Sequence, residues 1–381
     1  IGYETGTADW GDANVAVGYR ALKVNTADYN TALGYGSLKS NTTGTQNTAV
    51  GTDALTGNTT GNYNTSVGMQ ALNDNTTGAN NAAFGRKALN ANTTGSNNTA
   101  VGYEALVANT TASNNTAVGY EALDTNTTGD ENVAVGRMAM QLNTTGADCT
   151  AVGVNALQAN TTADNNCAFG KNALTANTTG GNNCAMGQNS LASNTTGTDN
   201  IAIGLNALNA NTTADENVAV GRNALDTNTT GAGSVAVGYY ALAKATTANS
   251  NTAVGRYAGA EFTTADAQVA VGAYALSTNV TGTHNCCIGY YAGKDISNGT
   301  YNVAVGSYAG CADQNGTADG HRNVSIGYEA GKLIDTGNDN VCVGYQAMKN
   351  LTTGHQNTVM GKTTGDELTS GDNNLVLGFA A

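Results

Sequence analysis

The sequence predicts an all-β protein, a parallel β-roll or β-solenoid of about 22 seventeen-residue coils. Three observations predict it. A glycine recurs at a fixed step, from Gly2, Gly18 and Gly34 through Gly51, Gly68 and Gly85 to Gly378; of the 22 intervals, two are 16 residues, nineteen are 17 and one is 21. Gly (50), Asn (53) and Thr (57) dominate the 381 residues, and proline is absent, as expected of a backbone whose N–H groups are committed to a ladder. Around each marker glycine, apolar residues lie two apart, the spacing of one strand face.

The repeat reads Asn-Thr-Ala-Val-Gly-Tyr-Glu-Ala-Leu-x-x-Asn-Thr-Thr-Gly-x-Asn, as in 98–114. The residue before the glycine (Val50, Phe84, Val101, Met186, Ile203) shares a face with the one two positions earlier (Thr48, Cys184, Ile201). The small residue between them, usually Ala (Ala49, Ala100, Ala117), points the other way and reads as a surface packed against a neighbouring chain. The Ala105-Leu106 type of segment reads as a second short strand, and Asn-Thr-Thr-Gly as the turn closing the coil. Helical arrays fit poorly, because Gly, Asn and Thr are poor helix formers. At ~4.8 Å per coil the stack is a rod of roughly 105 Å.

The organisation expected is regular repeats over 1–310, a turn insertion at 311–322 absorbing the 21-residue interval between Gly306 and Gly327, and continuing repeats over 323–381. Starting at Ile1 and stopping at Ala381 in mid-repeat, the chain reads as a slice of one longer rod. Ordering a 17-residue coil costs more backbone entropy than burying one Val and one Leu returns. That favours an intertwined or side-by-side trimer.

These residues resemble two families. The Ala-Ile-Gly core (Ala202-Ile203-Gly204) with its second small-apolar pair resembles the head repeats of trimeric autotransporter adhesins, which implies a left-handed, trimeric β-roll. The fuller Asn-Thr-Ala-Val-Gly-Tyr-Glu-Ala-Leu form is similar to repeats of phage and virus-like tail fibres, often found ahead of a self-cleaving intramolecular chaperone domain. The resemblance covers essentially the whole chain and implies a structural fibre, extracellular on a virion or cell surface. Its partners are then itself, as a homotrimer, and a host receptor or glycan engaged by a tip outside this chain.

Charge excludes other partners. The formal net charge is −13 and only 11% of residues are charged, so neither nucleic acid nor an anionic membrane surface is expected. No run of 18 apolar residues exists, so no membrane insertion is expected.

No catalytic residues, cofactor or metal ligands are expected. Gly361-Lys362-Thr363 lacks the first glycine of a phosphate loop, with Gln356 in its place. His284, His321 and His355 have no metal-ligand spacing and read as exposed turn residues. Six of the seven cysteines replace small or β-branched residues around the core strand, and Cys167 and Cys184 stack in adjacent coils, where a disulfide is conceivable. Acidic pairs such as Asp130-Glu131 and Asp215-Glu216 read as solvated turn charge.

Two asparagine columns remain. Asn stands four before the marker in 19 of the 22 repeats from Gly18 to Gly378 and reads as structural. The second column is Asn41, Asn58, Asn75, Asn92, Asn109, Asn126, Asn143, Asn160, Asn177, Asn194, Asn211 and Asn228, each followed by Thr-Thr. All twelve are glycosylation sequons on an expected surface turn. The column decays after Asn228, where Ala245, Phe262 and Ile296 replace Asn and only Asn279 keeps a sequon. Alternative readings are a glycosylated extracellular filament, sugar binding by a broken stripe of Tyr103, Tyr120, Tyr239, Tyr290 and Tyr345, and ice binding by threonines. Adjacent threonines such as Thr42-Thr43 are expected on opposite faces, which weakens the last.

Overall fold

The computed structural model describes all residues except 7–9, 313–317 and 381. It divides into two compact units, Ile1–Asn189 and Ser190–Ala381. The first holds strands β1 (Val15–Val17) to β11 (Cys184–Met186), the second β12 (Ile201–Ile203) to β22 (Leu375–Leu377). Every strand is three residues long, and no helix occurs among the described residues. The fold is the expected parallel β-solenoid.

Stacking is parallel and in register. Thr99, Ala100 and Val101 face Thr116, Ala117 and Val118 of the next coil, so like residues form columns one coil apart. Sequence and structure differ on which side is inside. The central alanine is buried within its own coil, with Ala100 and Ala117 at 0% exposure, while the flanking Thr and Val are half-buried or exposed. The expectation that alanine faces a neighbouring chain is therefore corrected. Leucine from the far wall fills the coil's width opposite the small strand centre, and where Gly365 takes the leucine position the strand centre is the larger, buried Val359.

That far wall is not a second strand. Glu104 and Leu106 both adopt left-handed angles (φ 51° and 53°), as do Glu121 and Leu123 (φ 51° and 52°). Each such residue costs roughly 1–2 kcal/mol against the right-handed region. The opposing gains are burial of Leu106 at 0% exposure and an unbroken intercoil ladder, in which Leu106 N–H donates to the Ala122 carbonyl at 3.0 Å. Alternating left-handed residues point leucine inward, a position β-alternation alone does not supply.

The marker glycine has a steric cause. Gly102 has φ 139°, and a Cβ there would collide with the Gly119 carbonyl of the next coil; the collision recurs along the column. Elsewhere the core trades volume between two positions. Where Gly259, Gly293 or Gly331 replaces the buried leucine, Phe262, Ile296 or Ile334 replaces the turn asparagine. A Cβ on Gly259 would lie 2.9 Å from both Leu242 and Phe262 side-chain carbons, so the large ring fills the space the leucine vacated.

Across the 21-residue interval, β18 (Val303–Val305) and β19 (Val324–Ile326) pair in parallel register. The centre of the expected insertion, 313–317, lies outside the described residues. Near it, Ala318 N–H donates to the Asp295 carbonyl at 3.1 Å, and Ile296 bridges to Ala318.

Candidate interaction surfaces

The twelve sequon asparagines lie inside the coil, not on a surface turn. Asn41 through Asn228 in that column are all 0% exposed. In the first unit, Asn109 Nδ2 donates to Asn92 Oδ1 at 2.9 Å and to the Ala112 carbonyl at 3.0 Å, while Asn126 Nδ2 donates to Asn109 Oδ1 at 3.1 Å. The second unit repeats this from Asn211 to Asn194. A carboxamide can close its own turn and bridge to the next coil at once, which explains why asparagine fills the column. The ladder's ends show the rule: Asn228 Oδ1 and both polar atoms of Asn279 lack a hydrogen-bond partner, beside Ala245 and between Phe262 and Ile296 respectively. A glycan needs the very Nδ2 these bonds occupy.

The other asparagine column is a second buried ladder. Asn115 N–H donates to Asn98 Oδ1 at 3.0 Å, and Asn115 Nδ2 to the Gly129 carbonyl at 3.0 Å.

The paired threonines both lie outside, contrary to the expected alternation, because the backbone there is a turn. Thr110 Oγ1 donates to the Thr127 carbonyl at 3.1 Å, whereas Thr111 and Thr128 are exposed. Tyrosines also stack by coil: Tyr103 on Tyr120 at 5.2 Å, and Tyr240, Tyr257, Tyr274, Tyr291 and Tyr308 in succession at 5.0–5.4 Å. Tyr239 and Tyr290 meet this run edge-on, and Tyr345 stacks on Tyr328. Ring faces that cover one another are not free to stack on a sugar.

The remaining chemistry-bearing residues are dispersed. His284 stacks on Tyr301, and the Nδ1 atoms of His321 and His355 accept backbone N–H bonds from Thr300 and Asn338. Among the described residues, no group of three His, Cys, Asp or Glu side chains could hold a metal. All seven cysteines are free thiols. Burial pushes Cys149 up to about 11 and Cys342 to about 12, so neither supplies a thiolate nucleophile near neutral pH. Cys167 and Cys184 sit opposite each other on the half-buried outer face of β10 (Cys167–Phe169) and β11; burial and the neighbouring Cys184 raise Cys167.

Two carboxylates have strongly shifted titrations. Burial would raise Glu329, but hydrogen bonds from Lys349, Gln346 and Lys332 bring it down to about 2. Asp124 is pushed up to about 6, first by burial and then by the charges of Glu121 and Glu104. An unfolded Asp ionises near ~3.9, so the folded chain holds an extra proton between about pH 4 and 6. Stability therefore falls as pH rises through that window and stays lower above it. Asp124→Asn is expected to stabilise the fold by about 1 kcal/mol at pH 7, with the two-unit shift discounted for solvent screening. No gain is expected near pH 3.5; urea denaturation at both pH values checks this.

The outer strand face is the uncharged surface of each unit. None of the 22 strands contains Asp, Glu, Lys or Arg, and the outward residues include Phe84 (41% exposed), Met186 (43%) and Ile288 (41%). An uncharged, largely apolar face of this extent on a strongly acidic chain is the surface to explain. No family model matches the chain, nor does any curated protein sequence. Fold and surfaces together define a repeat β-solenoid with an uncharged strand face.

Proposed function

We propose that this chain is a non-enzymatic structural fibre segment, the shaft of a phage or virus tail fibre or of a bacterial surface adhesin, which displays a receptor-binding tip outside the organism that makes it. The observation that carries the reading is the strand face, uncharged on every strand and built outward from aliphatic, aromatic, cysteine and threonine side chains. A repeated face of this kind is buried most simply by further copies of the same chain, because identical coils present the same spacing. The assembly proposed is a homotrimer, with strand faces turned towards a common axis and threonine turns outward. Regularity supports a mechanical role, since like residues recur coil after coil within each unit.

Light scattering under native conditions tests the reading. The expected mass is about three times that of one chain; a mass of 38.2 kDa overturns it. Thiol labelling adds an independent readout: Cys167 and Cys184 on the strand face should be protected in the assembly and become reactive when it is dissociated without unfolding.

A further inference from the structure

The strand face is bordered by two edges of opposite charge. Immediately after the marker glycine stand Arg86, Arg137, Lys171, Arg222, Arg256 and Lys362, all exposed, and no acidic residue occupies that position in any repeat. On the other side, the two residues at five and six before the marker include twelve acidic residues against one arginine, Arg322. Asp130, Glu131, Asp148, Asp164, Asp215 and Glu216 of this edge are exposed. Three coils carry both charges, Asp130 and Glu131 with Arg137, Asp164 with Lys171, and Asp215 and Glu216 with Arg222, and in each the strand runs from the acidic edge to the basic one.

The basic edge is where unused cations collect. Among the described residues eight of the chain's 15 Lys and Arg make ion pairs. Of the seven that make none, Lys39 lies elsewhere and the other six are this edge. Several are held in place by rings, with Arg86 over Tyr103 at 5.4 Å and Arg256 over Tyr257 at 5.3 Å. The acidic edge is held too: Asp130 and Asp215 accept the backbone N–H groups of Ser113 and Thr198 in the preceding coil at 2.6 and 2.7 Å.

We infer that these edges are the two halves of one interface between copies of this chain, and that they admit only parallel copies. Rotating a second copy about an axis along the coil stack sets its basic edge against the first copy's acidic edge. Any two-fold that reverses the stack sets like edges together, whether the copies meet face to face or side by side. Parallel association thus gains complementary charge around an uncharged centre, and antiparallel association sets like-charged residues of these edges against each other. The interface is heterologous, acidic edge to basic edge, which closes into a ring when the rotation permits. This inference rests on the self-associating fibre reading and adds its polarity and its specificity determinant.

Charge reversal tests it on the full chain. Arg86→Glu, Arg137→Glu, Arg222→Glu and Arg256→Glu together should weaken association by about tenfold or more. Adding Glu131→Lys, Asp148→Lys, Asp199→Lys and Glu216→Lys, none of which accepts a backbone bond in the structure, should restore it. Donor and acceptor dyes on the Ile1 amine of mixed wild-type copies should show strong energy transfer, and association should weaken steadily with added salt. An association unmoved by the first set and by salt, or an assembly without energy transfer, overturns the inference while leaving the fibre reading intact. A swapped variant with native circular dichroism that stays dissociated does the same. A monomeric wild type, in contrast, overturns the fibre reading itself.

Discussion

Replacing Gly119 with alanine should destabilise the coil stack by about 4 kcal/mol, combining a strained backbone region with overpacking against a neighbour that cannot move. Gly119 has φ 145°, and an added Cβ would meet the Gly136 carbonyl. That carbonyl belongs to backbone, and Ala139 N–H donates to it at 3.3 Å, so relaxation would disturb the next coil as well. The same substitution at Gly129, whose φ is not in the left-handed region, incurs the packing clash, there with the Gly146 carbonyl, without the backbone strain. Thermal unfolding of the two variants checks the ranking; equal loss at both sites would show that backbone conformation contributes nothing.

Asn109→Ala should cost about 3 kcal/mol, from a stranded buried acceptor and the small cavity left behind. Asn92 Oδ1 loses its Nδ2 donor, and Asn126 Nδ2 loses its intercoil acceptor. Substituting Asn228 should cost less, because its Oδ1 is already without a partner. Chain produced in a glycosylating host should retain the bare polypeptide mass at these twelve positions, since sugar attachment requires the coil to open. A ladder glycopeptide from folded protein would show that the asparagines reach the surface.

The coil period, the strand position and the parallel stacking were legible because each rests on repetition. A residue that recurs every 17 positions must stack on itself, and the Ala-Val-Gly segment has the spacing of a strand. What the sequence did not disclose was the sense of the coil, inside against outside. Two-residue alternation says that Ala100 and Val101 point to opposite sides without saying which side is interior. The deciding quantity is coil thickness, set by Leu106 reaching across from a left-handed turn that hydrophobic pattern does not reveal. The same ignorance put Asn109 on the surface, where asparagine in a turn ordinarily sits. One signal did exist: Phe262, Ile296, Ile334 and Leu351 replace asparagine in this column, and apolar residues of that size mark a buried site. The charged edges were likewise visible as separate columns, but their meaning depends on the strand face lying outward between them.

The hydrogen bonds that join coils run along the stack. Thr99 donates to Asn115 at 2.8 Å, and Leu106 to Ala122 at 3.0 Å, both towards the following coil. Tension applied along the stack therefore loads these bonds end-on and one coil at a time, unlike a sheet pulled along its strands, where many bonds share the force in shear. Under load a single chain would yield as a zipper does, each released coil paying out about 50 Å of slack from 17 residues at ~3.4 Å each, less the ~4.8 Å it occupied. A lone coil stack is thus a shock absorber with a fixed stroke, and copies bound side by side would be needed to make it a rigid strut.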